Sequence, residues 1–115
     1  KDLFLQSCTP QYYESAISVM KEKFQKPVFF VFSDDIPWVK VNLNIPNAYY
    51  IDWNKKENSY LDMYLMSLCT ASIIANSTFS FWGAMLGNKK ELVIKPKKWI
   101  GDEIPEIFPP SWLSL

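Results

Sequence analysis

The sequence predicts an α/β domain, a parallel sheet of about four strands with helices on both faces. Three observations carry that prediction. Short apolar runs, "VFFVF" (28–32), "AYYID" (48–52), "SIIAN" (72–76) and "ELVIK" (91–95), recur along the chain. Segments with helical spacing separate them, and strands alternating with helices close as a parallel sheet. The 115 residues, 49% of them hydrophobic, suffice for one domain (1–115) with its own core and are too few for two ordinary ones.

The elements follow in order. In "PQYYESAISVMKEKFQ" (10–25), Tyr13, Ile17, Met20 and Phe24 fall at helical spacing, an amphipathic helix begun near Thr9 and Pro10 and ended by Pro27. "VFFVF" reads as a fully buried strand. "IPWVKVNL" (36–43) suits a short helix with Pro37 in its first turn. "AYYID" is the second strand and "NKKENS" (54–59) a polar loop. Leu61, Leu65 and Leu68 mark a helix in "YLDMYLMSLCTA". "SIIAN" is the third strand, "TFSFWGAML" (78–86) the next crossover helix, and "ELVIK" the fourth strand. The remainder, 96–115, is rich in Pro and Trp and is expected to wrap the surface, with a short helix near 102–108.

Composition narrows the function. The 12 basic and 12 acidic residues cancel, which argues against a general nucleic-acid or membrane-surface binder. No stretch of ~18 apolar residues is present, so no transmembrane segment is expected. Cys8 and Cys69 lack metal-ligand spacing and read as free thiols. All 12 basic residues are Lys. With no His and no Arg, the chain has neither an imidazole base nor a guanidinium clamp for phosphate. It opens on Lys1 without an initiator Met and reads as an excised piece of a longer protein.

In parallel sheets ligands bind at the carboxyl ends of the strands, where strand order reverses. If the chain reverses after its first strand, strands 28–32 and 72–76 become neighbours, with the second strand on the far side of the first. Their carboxyl ends carry "SDD" and "NST". Ser77 suits the cap of the helix beginning at Thr78, whose free N–H groups and dipole make an anion site. Thr78 and Ser80 add hydroxyls. The plainer alternative is that Ser77 is only a cap and Ser80 only a surface residue. No Walker loop or GxGxxG fingerprint occurs among three glycines.

Other residues carry similar alternatives. Asp35 is expected to cap the helix at 36–43, leaving Asp34 for the crevice; two adjacent carboxylates are thin grounds for a metal, and none is expected. Asp62 lies three residues after Ser59, a capping-box spacing. Lys95, Lys97, Lys98 and Trp99 read as a solvated basic loop. Tyr49, Tyr50 and Trp53 are packing residues first, with one aromatic available to stack on a base. Met63 and Met66 are assigned to the core.

Taken together, "FFVFSDDIPWVK", "YYIDWN", "DMYLMSLCTASIIANSTFSFWGAML" and "IKPKKW" resemble glycosyltransferase family 11, the α-1,2-fucosyltransferases, in order and spacing from about Tyr12 to Trp112. The departures are Phe81 and Met85 where the family often has Trp, and a less polar Thr70-Ala71-Ser72. The family signature HxRRGDY, which supplies a phosphate-binding Arg, is absent and is expected upstream of Lys1. The resemblance implies the Rossmann-like, carboxyl-terminal nucleotide-binding half of a GT-B-like, inverting, metal-independent enzyme. It implies GDP-fucose as donor, a galactoside-containing glycan as acceptor, and the enzyme's amino-terminal half as partner. Asp62 would accept from the guanine edge, and Asp34, Asn76, Ser77, Thr78, Phe79 and Ser80 would line the donor site. No catalytic residue is assigned within the chain, and the isolated piece is expected to be inactive. An apolar face left open by the missing half predicts self-association as a homodimer. The setting would be the cytoplasm or cytoplasmic membrane in a bacterium, or the Golgi lumen in a eukaryote. The rivals are a non-catalytic binding domain and a transferase for another nucleotide sugar.

Overall fold

The computed structural model describes residues 9–33, 35–54, 56–87, 90–97 and 108–115. Helix α1 (Pro10–Lys23) starts where Thr9 Oγ1 accepts from the Tyr12 N–H at 3.2 Å, with Pro10 in the first turn. It ends before Pro27, when the Phe24 N–H closes on the Met20 carbonyl and Lys26 takes φ 50°. Strand β1 (Phe29–Phe32) leads to helix α2 (Ile36–Asn42), capped as expected by Asp35, whose Oδ1 accepts from Trp38 N–H at 3.2 Å. Strand β2 (Ala48–Ile51) follows, and the polar loop holds a 3-10 turn at Lys56–Asn58. Helix α3 (Tyr60–Ser67), strand β3 (Ala71–Ile73), helix α4 (Thr78–Met85) and strand β4 (Leu92–Lys95) complete the alternation.

All strand pairs are parallel, as the alternating pattern requires. They form two small sheets among the described residues, β1–β2 and β3–β4 with a short fifth strand, β5 (Leu113–Ser114), beside β4. In the first, Phe29 to Phe32 face Ala48 to Ile51 in register. In the second, Ala71, Ser72 and Ile73 pair with Leu92, Val93 and Ile94. Strand β5 (Leu113–Ser114) pairs with Ile94 and Lys95, so the carboxyl terminus extends the sheet instead of only wrapping it. The expected helix near 102–108 lies outside the described residues except for Phe108.

The expected ladder between strands 28–32 and 72–76 is not formed; among the described residues β1 pairs only with β2. Side chains bridge that gap. Phe29 from β1 and Ala71 and Ile73 from β3 pack against one cluster of Tyr12, Ala16, Met20 and Ile94 under helix α1. Nor is β1 fully buried, since Phe30 is half exposed and stacks on the equally open Tyr49 at 5.7 Å. The strand buried on both faces is β4. Val93 packs with Ile74, Phe81 and Ala84 beneath α4, while Ile94 packs beneath α1. Helices therefore cover opposite faces of this sheet, the doubly wound arrangement.

Lys95 departs from the solvated-loop reading, and Lys90 is a second tethered lysine. Lys95 is in β4 and buried, its Nζ 4.7 Å from the centre of the Phe108 ring, and burial pulls its pKa down. Lys90 Nζ donates to the Met66 and Cys69 carbonyls at 2.7 and 2.6 Å, closing the carboxyl end of α3. Burial lowers the Lys90 pKa and raises that of the Cys69 thiol, while their mutual attraction opposes both shifts. Cys69 is a free thiol, as expected; Cys8, Lys98 and Trp99 lie outside the described residues.

The deepest polar tie belongs to Tyr12, whose hydroxyl donates to the Ile74 carbonyl at 2.6 Å and lies 3.2 Å from that of Ile94. It pins α1 to the ends of two adjacent strands. Tyr12→Phe keeps the ring and removes the donor from a buried position, which should cost about 1–3 kcal/mol of stability. Denaturant unfolding should show a lower midpoint with an unchanged slope.

Candidate functional site

Within a parallel sheet the carboxyl ends of the strands share one edge, and Asn76 and Ser77 follow β3 at that edge. Past β3 the chain turns through Ala75 and Asn76, with the Ser77 N–H donating to the Ala75 carbonyl at 2.9 Å. Asn76 is buried within this turn, 3% exposed. Ser77 then caps α4. Its Oγ accepts from the Ser80 N–H at 3.0 Å and lies 3.1 Å from Ser80 Oγ. The Phe81 N–H is taken by the Ser77 carbonyl at 3.1 Å. The N–H groups of Thr78 and Phe79 head the helix, where an α-helix has no internal acceptors to offer. Phe79 is 37% exposed at this end. Ser77 is thus a cap, and the capped start presents backbone donors and the positive end of the dipole to the edge. The Thr78 side chain and all of Asp34 lie outside the described residues.

Asp62 occupies the first turn of α3, where the dipole favours a carboxylate. The expected capping box is not formed. Ser59 has helical backbone angles, makes no side-chain cap, and gives its N–H to the Lys56 carbonyl at 3.0 Å. A capping serine must be extended, and the 3-10 turn entering α3 prevents that. Asp62 Oδ1 instead accepts from Asn54 Nδ2 at 2.8 Å, which ties the helix start to the segment leaving β2. Sequence reasoning passed over Asn54 as one polar residue in a loop. Its position just past a strand's carboxyl end was the available signal.

Helices α3 and α4 bring the two halves together. Met66 and Ser67 at the end of α3 meet Gly83 and Gly87 at and just past the end of α4, so the two helices bring their carboxyl ends together. They touch at Gly83, where an added Cβ would lie 2.8 Å from Met66 Cε and 3.0 Å from Met66 Cβ. Below, a Cβ on Gly87, at φ 85°, would lie 2.5 Å from the Ser67 carbonyl oxygen. One turn up from the Met66–Gly83 contact stand Asp62 on α3 and Phe79 on α4. The carboxylate and the capped helix start therefore share one end of the helix pair. Trp53, 65% exposed, leaves β2 at the same edge beside Asn54. Tyr60, Met63, Tyr64, Ser67, Leu86 and Gly87 line an open hollow of about 380 Å³ along the length of α3. Among the described residues there is no group of three or more His, Cys, Asp or Glu able to hold a metal, and no helix long and apolar enough to cross a membrane.

A parallel, doubly wound unit with its polar residues on the carboxyl edge belongs to the Rossmann-like class. Within that class the chain belongs to glycosyl transferase family 11, whose model matches residues 3–115. It is 40% identical over 107 residues to the O-antigen biosynthesis glycosyltransferase WbnK of Escherichia coli, covering 90% of this chain and 35% of that protein. It is 42% identical over 117 residues to an alpha-1,2-colitosyltransferase of Escherichia coli, covering 94% and 39%. Similarity extends, at 23% identity over 102 residues, to the galactoside 2-alpha-L-fucosyltransferase SEC1 of Bos taurus, covering 87% and 28%. The chain spans between about a quarter and two fifths of the length of these relatives. No solved structure matches it.

The Met66–Gly83 contact sets the spacing of the helix pair. Gly83→Ala should cost about 1–3 kcal/mol through overpacking. Combining it with Met66→Ala should lose less than the sum of the two single changes, as thermal unfolding of the double-mutant cycle will show.

Proposed function

We infer that these residues form the donor-nucleotide-binding unit of an inverting glycosyltransferase that uses GDP-fucose on a galactoside-containing glycan. The observation that carries the reading is the pairing of α3 and α4, with a carboxylate in the first turn of one and a side-chain cap at the start of the other. A guanine presents two N–H donors on one edge, which a carboxylate complements, and a diphosphate suits the helix start. Asp62 would take the base, the start of α4 with Ser77, Thr78 and Ser80 the phosphates, and Trp53 would stack on the ring. Asp34, Asn76 and Phe79 would line the same donor site.

The unit's share of the reaction is electrostatic. As the sugar departs through an oxocarbenium-like transition state, negative charge grows on the diphosphate, and the α4 dipole and hydroxyls meet it there. The chain has no Arg and no His. The remaining phosphate contacts, the base for the acceptor hydroxyl and acceptor selection are therefore assigned to the part of the longer relatives that it does not span. The 115 residues alone are expected to bind GDP weakly and to transfer no sugar. No metal enters this reading, which rests on the family resemblance; EDTA should leave nucleotide binding unchanged. The higher identity to the Escherichia coli proteins favours the bacterial, cytoplasmic alternative for its location. A second reading keeps the site and changes the sugar, because one of those relatives is a colitosyltransferase.

Titration of the full chain with GDP, UDP and ADP tests the assignment. Asp62→Ala should weaken GDP by about 1.5–3 kcal/mol, as for a hydrogen bond to a charged group, and ADP much less. Equal losses would remove Asp62 from base recognition. At the other end, Thr78→Ala with Ser80→Ala should reduce affinity for GDP while leaving guanosine nearly unchanged. Parallel losses of both ligands would make the hydroxyls structural only.

A further inference from the structure

We propose that Asn54 is a specificity-positioning residue, holding the Asp62 carboxylate in the orientation that selects a purine bearing a 2-amino group. The proposal rests on the reading of Asp62 as the base acceptor and extends it to a residue outside the helix. Asn54 Nδ2 donates to Asp62 Oδ1 at 2.8 Å across eight residues of chain, from the segment after β2 to the first turn of α3. Both side chains are half buried.

A carboxylate at a helix start turns freely about its last torsion, which is broad and two-fold. One fixed donor on Oδ1 removes that freedom. A carboxylate has about four lone-pair sites, so Asn54 leaves roughly three. Among the described residues Oδ2 has no hydrogen-bond partner, and Oδ1 keeps one pair for a second, parallel bond. The N1–H and 2-amino group of guanine need that fork. Inosine offers N1–H alone, so the ratio of GDP to inosine diphosphate affinity reads the second bond directly. The Ser59 cap that would otherwise steady this turn is not made, which leaves Asn54 as the tie between the loop and the carboxylate.

The test measures dissociation constants for GDP and inosine diphosphate in the full chain and its Asn54→Ala, Asn54→Asp and Asp62→Ala variants. Both ligands are titrated into the same preparation, so any unfolded fraction cancels in the ratio. Asn54→Asp has the same shape, loses the donor and sets a second carboxylate against the first. Both Asn54 variants should bind GDP about three- to tenfold more weakly and inosine diphosphate within about twofold of the parent, the scale of freeing one ordered side chain. Asp62→Ala should bring the ratio near one. If Asp62→Ala collapses the ratio and the Asn54 variants keep it, the bond is a structural tie; the positioning role falls and the base reading stands. The positioning role falls equally if the Asn54 variants lose thermal stability at an unchanged ratio. If Asp62→Ala itself leaves the ratio intact, the base reading falls and this proposal falls with it.

Discussion

Burial of strand β4 on both faces is the constraint on which the rest of the chain depends. A central parallel strand has no solvent side, so each face needs a cover. Val93 and Ile94 point in opposite directions, and each calls up its own partner. Val93 gathers Ile74, Phe81 and Ala84, with Phe108 and Trp112 packed outside them. Ile94 gathers Tyr12, Ala16 and Met20, with Phe29, Ala71 and Ile73 around them. Helices α1 and α4 sit where they do because these two side chains must both be dry. Phe81 shows the same demand from the helix side. It is 3% exposed, with ring contacts of 5.5 Å to Phe108 and 5.7 Å to Trp112. An aromatic of that size holds the last residues of the chain against α4, close to where β5 joins the sheet.

That core delivers rigidity to the functional edge. The Ile74 carbonyl receiving the Tyr12 hydroxyl lies two residues before Asn76, so the turn into α4 begins from a fixed point. Ser77 caps the helix immediately afterwards. Helix α3 is then placed against α4 through the missing side chain at Gly83, and Asp62 arrives at the same end as Ser77. The path from core to edge runs through packing and a few hydrogen bonds. Only Ala75, Asn76 and Ser77 lie between Ile74 and the start of α4, and Asn76 is buried.

The site so formed is a partial one in chemical terms. It combines a carboxylate with a capped helix start, both suited to holding a ligand. The chain belongs to family 11 and carries no His and no Arg. Tyr60, Tyr64, Trp82 and Leu86 leave large apolar side chains exposed along α3 and α4.

How much of this was legible in the sequence follows from how far each signal reaches. Helix starts at Thr9, Asp35 and Ser77, the alternation of strand with helix, and the gathering of polar residues after β3 are all decided within three or four residues. These were readable, and the family motifs carried the function class. Position in the sheet is decided by pairing between residues tens of positions apart. "VFFVF" is more apolar than "LVIK", yet β1 is the half-exposed strand and β4 the central one. Lys95 is buried for the same reason: its strand is covered, whatever its charge suggests. Strand β5 is two residues long and leaves no period to detect. The capping box at Ser59 has the right spacing and fails because a 3-10 turn sets the backbone of Ser59 beforehand. Asn54 meets Asp62 only once the loop after β2 has folded back on α3. The sequence by itself determined the elements, their caps and the chemistry available to them. Tertiary structure decided which strand is dry and which side chain holds the carboxylate, because burial and long-range hydrogen bonds exist only after distant segments meet.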